Sequence, residues 1–385
     1  MDINEILTRG VAEVINLDSL KEKLAAGKPL RIKYGVDPTR PDIHLGHAAV
    51  LWKLKALQEM GHTIIFLIGD YTTKIGDPSG RNSTRPVLSD QEIKTNAQTY
   101  FDQVGKILDV KKTEVRYNSE WFEKMTFADI LNISGKFTVA QIIERDDFAK
   151  RIKEGNDIGL HEVMYPLMQA YDSVELKADM EIGGTDQKFN ILAGRDLQKK
   201  MGQSPQEVIF MNLLVGLDGK VKMSKSVGNY IAITDEPADM FGKVMSIPDE
   251  LIPQYFELCT EESAPEDANP RDQKAHLAKI IVKIYHGEEA AEKAEKEFNN
   301  VYRDKQLPED IAEVKIDGSY RLDDLLVTAK LASSKSEARR LVDEGAITIG
   351  DEKQTDAYKM IEHEIIPEKG LIIKKGPHQF AKVVK

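Results

Sequence analysis

Two short stretches of this sequence hold side chains able to do chemistry. "YGVDPTRPDIHLGH" (34–47) closes one apolar run and opens a helical pattern, setting His44 and His47 three residues apart around Gly46. "LDGKVKMSKSVGN" (217–229) gathers Lys220, Lys222 and Lys225 among Gly, Ser and Asn, in a chain that is acidic as a whole. Each has more than one reading. The histidines suit a metal, although no third His or Cys is spaced to complete such a site. They also suit a plain helix start, or an anion site. Gly46 lets a ligand approach the backbone, and a helix N-terminus offers free N–H groups to a phosphate. A Gly- and Ser-rich loop with lysines is commonly a solvated turn, and equally a flexible carrier of positive charge.

The elements around these stretches narrow the choice. "LRIKYGVD" (30–37), "TIIFLIGD" (63–70) and "TEVRYN" (113–118) read as strands, with helical patterns at 47–60 and from about 90 to 108 between them. That rhythm is βαβ and predicts an α/β fold with a Rossmann-like parallel sheet. Residues 120–175 read as mainly helical, "SVELKADMEIGG" (173–184) as a strand, and 186–202 as a helix with Asp186 near its N-cap. "QEVIFMNLLVGLD" (206–218) is a further strand that runs straight into the lysine loop. Helical patterns fill 234–301, a polar linker spans 304–319, and the tail has helices at 322–330 and 335–344 with strands near 346–349 and 371–374. The expected organisation is a catalytic domain over 1–233, a helical domain with linker over 234–319, and a small α+β domain over 320–385. In open α/β sheets ligands bind beyond the carboxyl ends of the strands, where "HLGH" lies.

Composition sets bounds. The 385 residues carry 53 Lys+Arg and 64 Asp+Glu, a net charge of −11, which argues against a general nucleic-acid coat protein. Of these, 12 and 11 fall in 320–385, leaving +1 on the tail and −12 on the rest, as for a module with its own partner. In the tail, "SSKSEARR" (333–340) puts Lys335, Arg339 and Arg340 on one helix, and Lys374, Lys375, Lys382 and Lys385 follow, a pattern suited to RNA phosphates. No apolar run approaches the roughly 18 residues that span a bilayer, so no membrane partner is expected. The acidic N-terminal stretch and the single cysteine, Cys259, give a cytoplasmic expectation.

"HLGH" (44–47) and "KMSKS" (222–226), in this order on an α/β sheet, form the paired signature of class I aminoacyl-tRNA synthetases. Nearly end to end, the chain resembles the tyrosyl-tRNA synthetase family, and within it the second bacterial subgroup. The marks are "YGVDPT" (34–39), "IGDPSGR" (75–81), "YPLMQAYD" (165–172), "GGTDQKFN" (183–190) and "KMSKS", while the tail looks like the RNA-binding module shared with a small-subunit ribosomal protein. Tryptophanyl-tRNA synthetases share both signatures, but normally lack that tail and would not be expected to pair Tyr34 with Asp172.

The resemblance implies activation of L-tyrosine by ATP, carrying Mg²⁺ on its phosphates, followed by transfer to the terminal ribose of tRNA(Tyr). No tightly bound cofactor and no protein metal site are expected. It implies that His44, His47, Lys222 and Lys225 act on the phosphates, with Arg81 and Arg85 helping to hold pyrophosphate. Asp37, Thr39, Gly46, His47, Asp186 and Lys225 would bind ATP. Tyr34 and Asp172 would clamp the phenolic hydroxyl, Asp77, Tyr165 and Gln169 the ammonium, and Gln187 the carboxylate, with Asn118 and Trp121 nearby. A homodimer joined through the helical insertion at about 120–165 is implied as well.

Overall fold

The computed structural model describes residues 1–39, 42–79, 88–225, 227–302, 311, 313–350, 352–367, 370–376 and 379–385. Among them, the apolar runs of the first half form a six-stranded sheet: β1 (Val11–Ile15), β2 (Arg31–Val36), β3 (Thr63–Ile68), β4 (Thr113–Tyr117), β5 (Met180–Gly184) and β6 (Glu207–Met211). Their order is β1-β6-β5-β2-β3-β4. β2 to β6 are mutually parallel, and β1 closes the edge antiparallel to β6. β3 and β6 are buried almost throughout, which is why they read as continuous apolar runs. The chain leaves β2 outward through β3 and β4 and then returns to β5 on the other side of β2. Strand order therefore reverses between β2 and β5, and the crevice beyond their carboxyl ends is the place a ligand is expected.

The helix expected at 47–60 spans Leu45–Glu59, the one from 90 spans Asp90–Val104, and the one near 186 spans Lys188–Lys200 after a short 3₁₀ turn. Three elements differ from expectation. Residues 173–175 are not strand: the Leu160–Glu175 helix runs through them, and the chain reverses around Lys177 (φ 48°) before β5 begins at Met180. The alternation in "SVELKADM" is an amphipathic helix end followed by a turn, with Val174 buried in the helical cluster around Phe148 and Leu197. β1 is a half-exposed edge strand of only five residues, too short to stand out beside the helical pattern that follows it. Part of the expected linker is also strand, as the tail shows.

The chain forms two compact units, one comprising 1–235 and 243–285, the other 236–242 and 286–385. The helices Ile252–Cys259 and Pro270–His286, expected in a separate helical domain, lie in the first unit. In the second, β7 (Glu313–Lys315), β9 (Ile347–Ile349), β10 (Glu352–Lys353), β12 (Leu371–Lys375) and β13 (Gln379–Val384) make a five-stranded sheet, and β8 (Tyr320–Arg321) pairs with β11 (Met360–Ile361). β7, inside the expected linker, pairs in parallel with β13. The lysines of "HQFAKVVK" disguise a strand whose Ala381 and Val383 are fully buried. This sheet and the helices Leu322–Thr328 and Lys335–Asp343 enclose a core of their own, which includes Ile316.

A tail fragment starting at residue 311 is expected to melt cooperatively. One starting at 317 loses β7 and the buried Ile316, a cost of about 2–5 kcal/mol, and should melt roughly 10 °C or more lower by circular dichroism.

Candidate active site

The residues that end β2 and β5 open onto the reversal crevice. Asp37, just past β2, is held from two sides: the Tyr165 hydroxyl donates to its Oδ2 at 2.9 Å, and the Thr72 hydroxyl to its Oδ1 at 2.9 Å. Gly69, at the end of β3, makes this approach possible. A Cβ there would come within 2.2 Å of Asp37 Oδ1 and 2.4 Å of Thr72 Oγ1. The chain of contacts continues to Asn118, whose amide donates to Thr72 Oγ1 at 3.0 Å and to Asp172 Oδ2 at 3.4 Å. Asp172 Oδ1 accepts the Trp121 indole N–H at 3.0 Å. Tyr165, Asp37 and Asp172, which lie far apart in sequence, thus share one network with Asn118 and Trp121. Both of the latter earn a place that a lone Trp in a sequence does not announce.

Burial dominates the electrostatics here. Asp172 is 2% exposed, and burial pushes its carboxyl up to about 8. Asp37 adds to that rise, while Lys33 and the Asn118 and Trp121 hydrogen bonds oppose it. Tyr34 is buried too, but neighbouring strand residues face opposite ways: Lys33 reaches the helix that carries Asp172 while Tyr34 packs on Phe66, so the expected Tyr34–Asp172 clamp is not assembled. Burial, reinforced by Asp186, keeps the Tyr34 phenol protonated well above the ordinary tyrosine range. The side-chain oxygen of Gln169 is buried without a hydrogen-bond partner among the described residues.

A second group joins β5's end to the loop after β3. Gln187 donates to Asp77 Oδ2 at 2.7 Å and accepts from Asn190 at 3.0 Å, and Asp77 Oδ1 accepts the Ser79 backbone N–H at 2.9 Å. Behind them lies Arg145, 5% exposed, which donates to Ser79 Oγ at 2.8 Å and Asn190 Oδ1 at 3.2 Å while ion-pairing with Asp147. Sequence reasoning passed over Arg145, which stands between Glu144 and Asp146 at the junction of two short helices and reads there as an ordinary surface charge.

The phosphate motifs meet through the backbone. Residues 43–45 pair with 231–233: the Leu45 N–H donates to the Ile231 carbonyl at 3.1 Å, and the Ile233 N–H to the Ile43 carbonyl at 3.0 Å. The lysine stretch is a hairpin. Val215 bridges Lys222, Asp218 caps the turn by accepting the N–H groups of Lys220 and Val221, and Asn229 pins the base through Ser224 and Asp218. Lys222 ion-pairs with Asp186 at 2.5 Å, and Lys225 bonds the Tyr100 hydroxyl with its ammonium 4.4 Å from that ring's centre.

His44 and His47 stack with ring centres 3.9 Å apart, and a Cβ on Gly46 would press on the His44 ring at 3.1 Å. Burial, followed by Lys225 and Lys222, lowers His44 to about 3. Burial, His44 and the same lysines hold His47 well below the usual range. Both imidazoles are therefore neutral at pH 7. The His44 backbone N–H donates to His47 Nδ1 at 3.5 Å, which leaves Nε2 of His47 to carry its proton.

Thr39 stands two residues past Asp37, its N–H donating to the Asp37 carbonyl at 2.8 Å. Arg81 and Arg85 lie outside the described residues. In the tail, Lys335 ion-pairs with Asp324 and the exposed Arg340 with Glu344 at 3.8 Å. Arg339 and Arg321 both bond the buried Asp323 and flank the Tyr358 ring at 5.1 and 5.0 Å. Sequence reasoning missed Arg321 and Tyr358, which come from outside the Lys335–Asp343 helix. Among the described residues no cluster of three His, Cys, Asp or Glu is placed to hold a metal ion, and no helix is long and apolar enough to cross a membrane.

The chain matches known proteins in sequence and in fold. Residues 25–303 match the family model described as tRNA synthetases class I (W and Y), and residues 304–383 match that of the tyrosine–tRNA ligase SYY-like C-terminal domain. The tyrosine–tRNA ligase of Carboxydothermus hydrogenoformans is 49% identical over 99% of this chain and 97% of its own, and that of Thermotoga maritima is 48% identical over 98% and 96%. Among solved structures, the tyrosyl-tRNA synthetase of Archaeoglobus fulgidus complexed with L-tyrosine is 26% identical, with a TM-score of 0.62 over 77% of this chain and 100% of that one. The chain belongs to the tyrosine–tRNA ligase family of class I tRNA synthetases.

Because burial raises the Asp172 carboxyl from about 4 unfolded to about 8 folded, the native state binds a proton that the unfolded chain has lost between those values. Its contribution is complete below pH 4 and falls away as pH rises to 8. Asp172→Asn should therefore raise the melting temperature, with the gain absent near pH 4 and growing to a plateau above pH 8 in thermal melts.

Proposed function

We propose that this chain activates L-tyrosine with ATP to tyrosyl-adenylate and pyrophosphate, then transfers the tyrosyl group to tRNA(Tyr), using the residues assembled at the strand-order reversal. The reading is carried by one observation: the backbone pairing of 43–45 with 231–233, which joins the histidine motif to the strap that bears the lysines. The substrate carboxylate is itself the nucleophile, so catalysis is positioning plus stabilisation of charge gathering on the leaving pyrophosphate.

The proposed roles are those the family resemblance implies, and the chemistry of the side chains suits them. Asp172 faces the phenolic hydroxyl, Asp77, Tyr165 and Gln169 receive the ammonium, and Gln187 orients the carboxylate. Asp37, tied to Tyr165 at 2.9 Å, stands between that group and the adenylate, with Thr39 beside it. Asp186 takes the ribose. Gly46 leaves the helix N-terminus approachable, and neutral His44 and His47 donate N–H groups to phosphate. Lys222 and Lys225, with Arg81 and Arg85, supply the positive charge. Mg²⁺ enters as part of the ATP substrate.

Three further assignments belong to the same proposal. The exposed apolar side chains of Phe127, Leu131, Val139 and Leu160 support a homodimer contact on the insertion at about 120–165. A tRNA-binding role for the tail is supported by the guanidinium pair at Tyr358 and by the exposed Arg340. A reaction that consumes ATP and tRNA fits the cytoplasm.

The test is ATP–pyrophosphate exchange with purified protein and Mg²⁺, supplying tyrosine, tryptophan or phenylalanine separately, followed by charging of tRNA(Tyr). Exchange with tyrosine alone is expected. Exchange with tryptophan alone would overturn the pocket assignment, and none with any of the three would overturn the activity. Lys225→Ala is expected to slow single-turnover adenylate formation on the order of 100-fold with tyrosine affinity nearly unchanged.

A further inference from the structure

Next to the pocket the sheet holds a charge pair that no phosphate or substrate role accounts for. β2 and β5 pair in register with Lys33 opposite Glu181, and these side chains are 1% and 3% exposed. The Lys33 ammonium lies 3.0 Å from Glu181 Oε1 and donates to Ser173 Oγ at 2.9 Å and to the Gln169 carbonyl at 3.2 Å, which uses all three of its hydrogens. Glu181 Oε2 accepts from Gln206 at 2.5 Å and from Ser173 at 3.3 Å. The centre of a parallel sheet is normally apolar. A buried ion pair there gains little or no stability over well-packed apolar side chains.

Its partners indicate what it does instead. Gln169 and Ser173 are one turn apart on the Leu160–Glu175 helix and bracket Asp172. We infer that Lys33 is a positioning residue for the amino-acid pocket: it fixes the helical turn that carries Asp172, and its charge keeps the Asp172 carboxylate able to accept the substrate's phenolic hydroxyl. The inference rests on the reading of Asp172 as the group that binds that hydroxyl. Several groups act on Asp172. Lys33 from β2 is the cation and Asp37 beyond β2 the opposing anion, while Asn118 and Trp121, after β4, are neutral donors. Glu181 on β5 is the lysine's own counter-ion, 3.0 Å from its ammonium. An apolar side chain at position 33 would leave Asp172 with burial and Asp37 against its charge and two neutral hydrogen bonds in favour.

The experiment uses the full chain. Lys33→Met alone strands a buried glutamate, so the informative variant is the double Lys33→Met/Glu181→Gln, with wild type and Asp172→Asn run in parallel. Melting temperature checks folding. Pyrophosphate exchange gives KM for tyrosine, KM for ATP and kcat from pH 6 to 9.5. At a melting temperature at or above wild type, the double variant should raise the tyrosine KM roughly 10-fold or more at pH 7.5, as for a lost hydrogen bond to a charged acceptor. KM for ATP should stay the same. The pH at which the tyrosine KM improves should move up by about one unit or more, so that the defect narrows toward pH 9.5. A merely structural pair would leave that profile in place. A folded double variant with wild-type tyrosine KM and pH profile overturns the inference, provided Asp172→Asn itself raises the tyrosine KM. If Asp172→Asn does not, the reading of Asp172 fails and takes the inference with it.

Discussion

Two backbone hydrogen bonds, between Leu45 and Ile231 and between Ile43 and Ile233, set the geometry on which the rest of the site depends. They need no particular side chains, only two extended segments whose N–H and C=O groups would otherwise be left unpaired. Closing them fixes where the Leu45–Glu59 helix begins, and so where His44 and His47 stand. They also anchor the far side of the lysine hairpin, which the Asp218 and Asn229 side chains close at its turn and base. The hairpin is thus held at both ends, while its lysines rest on partners, Asp186 and Tyr100, that sit at the crevice. Such an arrangement suits a charge that must be delivered to one place without being buried there.

The pocket beside it is built on the opposite principle. Its charges are kept out of water, and its protonation states are set by that cost more than by neighbouring charges. Burial is the largest influence on Tyr34, Asp172, His44 and His47 alike. Asp172 is thereby left a carboxyl whose ionisation is finely balanced, with Asn118 and Trp121 as neutral donors, Lys33 tipping it one way and Asp37 the other. Sites arranged for binding rather than stability commonly carry such costs. The buried pairs Lys33–Glu181 and Arg145–Asp147, each hydrogen-bonded to residues adjoining the pocket, extend that cost one layer further.

The tail follows a third pattern. Arg321, Lys335, Arg339, Arg340, Lys375 and Lys382 each meet a carboxylate of the same module, and Asp323 alone gathers two guanidiniums around the Tyr358 ring. The module's near-neutral charge reflects 12 Lys+Arg against 11 Asp+Glu over 320–385. It makes placement, more than net attraction, the basis for recognising a nucleic acid.

Much of this was legible in the sequence, because the parallel strands are continuous apolar runs and the phosphate motifs have fixed local spacing. The alternation of β2, β3 and β4 with helices, the helix starting at "HLGH" and the lysine loop after β6 needed only local pattern. Where local pattern misled, a tertiary contact had overridden it. "SVEL" is helix because Val174 packs into the cluster around Phe148, and 313–315 is strand because β13 supplies the partner. Sequence alone determined which residue types the chemistry has to work with, since spacing within a motif is a local property of the chain. Only the tertiary structure decided which of them meet: that Asp37 bonds Tyr165, that Trp121 and Asn118 hold Asp172, and that Arg145 and Lys33 stand behind the pocket. Those contacts span long stretches of chain, and their energies come from burial and hydrogen-bond geometry, which exist only once the sheet and its helices have packed.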